Sequence, residues 1–167
     1  MYREFDEIFN IMEASFPKEE YRSYEEQKKL LKSSNYYITT KQNEKNELIG
    51  FICSWKMSEF SFIEHFAVRS SERSKGIGSI MLKEFISTSQ SPIILEVELP
   101  KDELSLRRIS FYERIGFIKN DFKYYQMPLR KNSEPIRMYL MSYPKVLTET
   151  EFEEIKKCIY DKIYLIH

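Results

Sequence analysis

The chain has 167 residues, of which 42% are hydrophobic and 31% charged, enough apolar content for one globular domain over 1–167 and too much for a disordered segment. Basic and acidic residues number 26 each. This balance excludes bulk attraction to nucleic acid or an anionic membrane, so any anion site must be local. Cys53 and Cys158 make no disulfide framework and are expected to be reduced packing residues of a cytoplasmic protein. Residues 1–16 lack the continuous apolar stretch of a leader, and no apolar run approaches the roughly 20 residues of a spanning helix. The two histidines, His65 and His167, form no metal-ligand cluster, so no metal is expected.

Phe5, Ile8, Phe9 and Met12 recur at helical spacing, and Pro17 ends the first predicted helix. Ser23 and Glu26 read as a capping box opening a second helix to about Leu31. Tyr36–Thr40 is a strand, Asn43–Asn46 a turn, and Leu48–Met57 and Phe60–Val68 a hairpin of two more strands. Ile77, Ile80, Met81 and Phe85 stripe a third helix. After Pro92, the apolar Ile93–Val97 reads as a central strand. Pro100–Glu103 is a predicted loop, and a helix carrying Leu106, Ile109, Phe111 and Tyr112 closes at Gly116. Phe117–Lys119, Tyr124–Leu129 and Met138–Met141 are strand candidates. Thr148 and Glu151 form a second capping box for a last helix with Phe152, Ile155, Ile159 and Ile163 on one side. The order is a mixed α/β plan.

Two of the chain's four glycines sit in Arg73-Ser74-Lys75-Gly76-Ile77-Gly78-Ser79, between a strand and a helix. Backbone N–H groups converging at a helix start make an anion site, and glycine lets a phosphate approach closely. Rival glycine loops fit less well. A dinucleotide fingerprint needs a further glycine where Met81 stands, and a Walker loop needs Gly-Lys-Ser/Thr after four intervening residues.

The spacing Arg73-x-x-Gly76-x-Gly78 resembles the acyl-CoA pyrophosphate loop of the GNAT N-acetyltransferases. Downstream, Phe111-Tyr112-Glu113-x-x-Gly116-Phe117 is similar to that family's second signature. The resemblance covers roughly Asn35 to Leu129. It implies a GNAT fold: a twisted, mixed, mainly antiparallel sheet flanked by helices, opened by a split between the family's fourth and fifth strands, where acetyl-CoA lies. Those strands would be Phe60–Val68 and Ile93–Leu99. By the same resemblance, the backbone of Phe66, Ala67 and Val68 pairs with the pantetheine arm. Backbone N–H groups from Arg73 to Ser79, namely of Arg73, Ser74, Lys75, Gly76, Ile77, Gly78 and Ser79, hold the pyrophosphate. Tyr112 stands near the thioester sulfur.

An amine acceptor is mostly protonated at neutral pH and must lose a proton before it attacks. The leaving thiolate needs a donor, and a tyrosine hydroxyl can serve. The expected base is a carboxylate: Glu64 on the fourth strand, favoured slightly, or Glu96 on the fifth. Each has a structural alternative as an ion-paired residue. Strand alternation puts Glu64 and His65 on opposite faces, and His65 is expected to pack or hydrogen-bond rather than to catalyse.

The chain departs from the family pattern in three places. The family's first strand is missing. Ser105 stands where an asparagine often contacts CoA seven residues before the tyrosine. Ser133–His167 extends past the signatures and ends in an extra C-terminal helix, which leaves a homodimer open. The expected activity is acetyl transfer from acetyl-CoA to a primary amine of a small-molecule acceptor. The alternative is a non-catalytic acyl-CoA sensor or an interaction module on the same fold.

Overall fold

The computed structural model describes residues 2–165, with side chains from residue 4 onward. His167 lies outside the described residues. The chain divides into two compact units that meet in sequence at Ser91 and Pro92.

The first unit opens with α1 (Tyr2–Ser15), which turns Phe5, Ile8, Phe9 and Met12 inward against the strands. Among the described residues no strand precedes it. Pro17 follows its end and starts a short 3₁₀ turn, Lys18–Glu20. Helix α2 (Tyr24–Lys29) has the expected capping box, with Ser23 and Glu26 each bonding the other's backbone N–H. Strands β1 (Tyr36–Gln42), β2 (Leu48–Lys56) and β3 (Ser61–Val68) form an antiparallel meander. Strand β2 lies in the middle and is buried from Leu48 through Trp55, which explains its unbroken apolar run. Helix α3 (Ile77–Thr88) packs on this sheet. Its approach depends on Gly50, where a Cβ would lie 2.8 Å from Met81 Sδ and 3.0 Å from the Ala67 carbonyl.

Strand β3 is irregular at one place. Cys53 faces His65 and Ser54 faces Ile63, so Glu64 is the extra residue of a β-bulge. The alternation expected of Glu64 and His65 fails here. The bulge turns both side chains inward, with Glu64 Oε2 3.7 Å from His65 Nδ1.

The second unit contains β4 (Ile93–Glu98), α4 (Glu103–Ile115), β5 (Ile118–Gln126), β6 (Ile136–Tyr143) and α5 (Glu149–Lys162). Its strands run antiparallel in the order β4-β6-β5. The two strand candidates after Gly116 are one strand, β5, which ends at Gln126 rather than at Leu129. It carries an irregularity between Asn120 and Tyr124. Asn120 fixes that irregularity. Its amide donates to the Leu140 carbonyl and to Ser142 Oγ, and its carbonyl oxygen accepts from Leu147 N. Gly116 closes α4 at φ 116, and Thr148 caps α5 in the expected box with Glu151.

Candidate functional site

The glycine loop leaves β3 through a 3₁₀ turn, Ser70–Glu72, and enters α3. Ser74 (φ 64) and Gly76 (φ 78) both have left-handed backbone, so the chain curls around Lys75. Gly76 is the N-cap of α3, and no side chain caps that helix. The first-turn N–H groups of Ile77, Gly78 and Ser79 therefore have neither an intrahelical acceptor nor a side-chain cap. A Cβ added at Gly76 would meet nothing within 4 Å. The glycine is thus needed for its backbone angle, not for packing.

The loop's basic side chains are held by the protein itself. Arg73 donates from Nε to the Val68 carbonyl at 3.0 Å and from Nη2 to Ser15 Oγ at 3.2 Å. Lys75 pairs with Glu72 at 3.0 Å. Along Phe66, Ala67 and Val68, one edge of β3 is taken by Ile52, Phe51 and Gly50 of β2.

Tyr112 lies on α4, its ring edge-on to Phe111 and Phe117. Burial pushes its hydroxyl up to about 12, so it is protonated throughout the neutral range. Ser105, in the same helix, is fully buried, and its hydroxyl is engaged at the helix start. It accepts from Lys101 N and Asp102 N and donates to Asp102 Oδ1 at 2.7 Å. The predicted loop 100–103 is in fact the cap of α4, an Asp-x-x-Ser box.

The two candidate carboxylates have different surroundings. The Glu64 side chain is fully buried, and Arg22 Nη1 donates to its Oε1 at 2.8 Å. His65 beside it is also buried. Its Nε2 donates to the Glu20 carbonyl at 2.7 Å, which leaves Nδ1 as an acceptor. Desolvation pulls the imidazole below its usual value. Glu64 Oε2 and His65 Nδ1 are thus two buried acceptors facing each other with no donor between them. Glu96, half-buried on β4, instead accepts from hydroxyls. Tyr124 donates to Oε1, and Tyr164 donates to Oε1 at 2.8 Å and to Oε2 at 3.0 Å.

The profile of the Acetyltransferase (GNAT) family matches residues 2–117. The chain belongs to the GNAT family of acetyltransferases. Its members are acetyl-CoA-dependent N-acetyltransferases. Among solved structures, a GNAT-family protein from Bacteroides thetaiotaomicron is similar at TM-score 0.92 and 31% identity, over 99% of this chain and 94% of that one. A GNAT family acetyltransferase from Elizabethkingia anophelis with acetyl-CoA bound shares the fold at TM-score 0.56 and 19% identity, covering 72% of this chain and 82% of the other. An aminoglycoside 6'-N-acetyltransferase complexed with coenzyme A does so at TM-score 0.61 and 17% identity, over 83% and 88%. No curated protein matches the sequence.

The GNAT assignment accounts for the α/β plan of the fold. Two residues around the candidate carboxylates are not singled out by the sequence: Arg22 and Tyr164. Tyr164 is one of 12 tyrosines, which blurs any single one. Arg22 carried a signal, a lone arginine next to a helix cap, but nothing local tied it to a strand 42 residues away. Among the described residues, no cluster of His, Cys, Asp and Glu could hold a metal ion, and no helix is long and apolar enough to cross a membrane.

Proposed function

We propose that this protein transfers the acetyl group of acetyl-CoA to a primary amine, with Glu96 as the proton acceptor and Tyr112 as the proton donor. The observation that carries this reading is the uncapped amino end of α3, opened by Gly76 in left-handed backbone, inside a chain of this family. In that role the N–H groups between Arg73 and Ser79 bind the pyrophosphate, aided by the helix dipole. The side chains of Arg73 and Lys75 act by shaping the loop and adding local positive charge. Phe66, Ala67 and Val68 offer backbone to the pantetheine arm.

The amine nitrogen attacks the thioester carbonyl carbon, and its surplus proton passes to Glu96. The C–S bond then breaks, and the sulfur takes a proton from the Tyr112 hydroxyl, which is later restored from solvent. A hydroxyl held at about 12 is fully protonated at neutral pH and so has a proton to give as the thiolate forms. Between the carboxylates, Glu96 is preferred over Glu64. Protonating Glu64 would break its buried ion pair with Arg22, which is costly. Glu64 is better suited to holding Arg22, and Ser105 to capping α4, than to touching substrate.

Thiol release from acetyl-CoA, measured over a panel of small primary amines, tests the reading. Amine-dependent release that is lost in Glu96→Gln is expected. Binding of acetyl-CoA without turnover of any amine would favour a non-catalytic acyl-CoA sensor. Absence of acetyl-CoA binding by the folded protein would overturn both.

A further inference from the structure

Glu96 meets hydroxyl groups from two places far away in the chain. Tyr124 comes from β5, and Tyr164 lies just past the end of α5, 68 residues from Glu96 in sequence. Both lie beyond residue 117, where the match to the family ends. Tyr124 is fully buried, and its hydroxyl is pushed well above the ordinary tyrosine value, chiefly by burial. It remains a donor at any working pH. Tyr164 is pinned through its backbone, its N–H donating to the Ile159 carbonyl at 3.1 Å, while the neighbouring Ile163 is buried. Its ring packs edge-on against Tyr160, which packs in turn on Tyr124. The Tyr160 hydroxyl points elsewhere, to the Tyr125 carbonyl at 2.7 Å.

The contrast with the next carboxylate on the same face of β4 is informative. Glu98 is neutralised by Arg108 and lies 3.6 Å from Lys101, an ordinary ion-pair cluster. At Glu96 two hydroxyls converge on one carboxylate, and Tyr164 spans both of its oxygens. Hydroxyl donors on both oxygens fix the plane of the carboxylate.

We infer that Tyr164 and Tyr124 are positioning residues for acetyl transfer: they hold the Glu96 carboxylate in its working orientation, and the segment from β5 to the turn after α5 completes the site. This rests on the reading of Glu96 as proton acceptor. The groups around the carboxylate include Tyr124 from β5, Tyr160 from α5, Tyr164 after it, and Glu98 two residues on along β4, with its partners Arg108 and Lys101. Two donors to the ionised form stabilise it, so removing one should make Glu96 bind its proton at higher pH.

The test compares Tyr164→Phe with Tyr160→Phe in the full chain, after both are shown to be folded by thermal melting. The titration of Glu96 is followed by NMR of ¹³C-labelled glutamate, its signal assigned with Glu96→Gln. The midpoint should move to higher pH in Tyr164→Phe and stay in place in Tyr160→Phe. With the fastest amine of the panel, Tyr164→Phe should lower kcat about 10- to 100-fold, as expected for a misplaced reacting group, while KM for acetyl-CoA is unchanged. An unmoved midpoint, or equal effects of the two variants, would overturn the inference while an inactive Glu96→Gln kept Glu96 as the base. A moved midpoint with full activity in Glu96→Gln would instead overturn the assignment of Glu96, and the positioning role with it.

Discussion

Arg22 Nη1 lies 2.8 Å from Glu64 Oε1, joining the segment before α2 to the bulge of β3. Both side chains are withdrawn from water, and the Glu64 side chain has no exposed surface. Removing one partner strands the other charge. Arg22→Leu is therefore expected to destabilise the protein by about 3–5 kcal/mol, read as a lower denaturation midpoint in urea. The double variant Arg22→Leu/Glu64→Leu should recover much of that loss. If the single variant melts like the parent, the pair contributes nothing.

His65 makes stability depend on pH. Its folded value is depressed, so the neutral imidazole is the form that fits the fold. Below the ordinary histidine value of about 6.5, the unfolded chain binds a proton that the folded chain resists. Stability from this group is thus present above that value and is lost as pH falls toward the folded one. Urea midpoints should decline as pH falls below about 6.5, and His65→Gln should flatten the decline. The same slope in the variant would assign it to other groups.

At Gly76 a side chain meets open space within the protein, so any cost to the fold comes from the left-handed backbone alone. Gly76→Asn tolerates left-handed backbone and should leave melting nearly unchanged. Gly76→Val should also lose about 1–2 kcal/mol of stability through its backbone angle. Both should raise the Kd for acetyl-CoA about tenfold or more in calorimetry, because the amides can no longer approach the phosphates closely. Affinity equal to the parent's would reduce the loop to a turn.

Tyr112→Phe keeps the ring contacts with Phe111 and Phe117 and removes only the hydroxyl. We expect kcat to fall by about 10²–10⁴-fold with acetyl-CoA affinity preserved. Single-turnover thiol release would show whether the loss lies in the chemical step. Parent-like turnover would mean that the thiolate departs without this donor.

Local signals in the sequence read well here. The capping boxes at Ser23 and Thr148, the C-cap at Gly116 and the glycine loop each depend on a few adjacent residues, and each is found where expected. Asp102-x-x-Ser105 carries the same kind of signal, in a stretch that Pro100 makes look like a loop. What could not be read depends on pairing between distant segments. The bulge at Glu64 exists only relative to the register of β2, and the continuity of β5 only relative to β6. The environments of the two carboxylates are likewise set by residues 42 and 68 positions away. No window of sequence contains both partners, so the surroundings of neither carboxylate can be read from one.

The family match stops at Phe117, inside the second unit. A chain ending there would keep every residue of the glycine loop and Tyr112. It would lose β6, which hydrogen-bonds β4 from Ile93 to Glu98, and both hydroxyl donors to Glu96. The residues after Phe117 are therefore not a dispensable tail of the second unit. Exchange of C-terminal segments at that boundary would swap the partner of β4 and the environment of its carboxylate together.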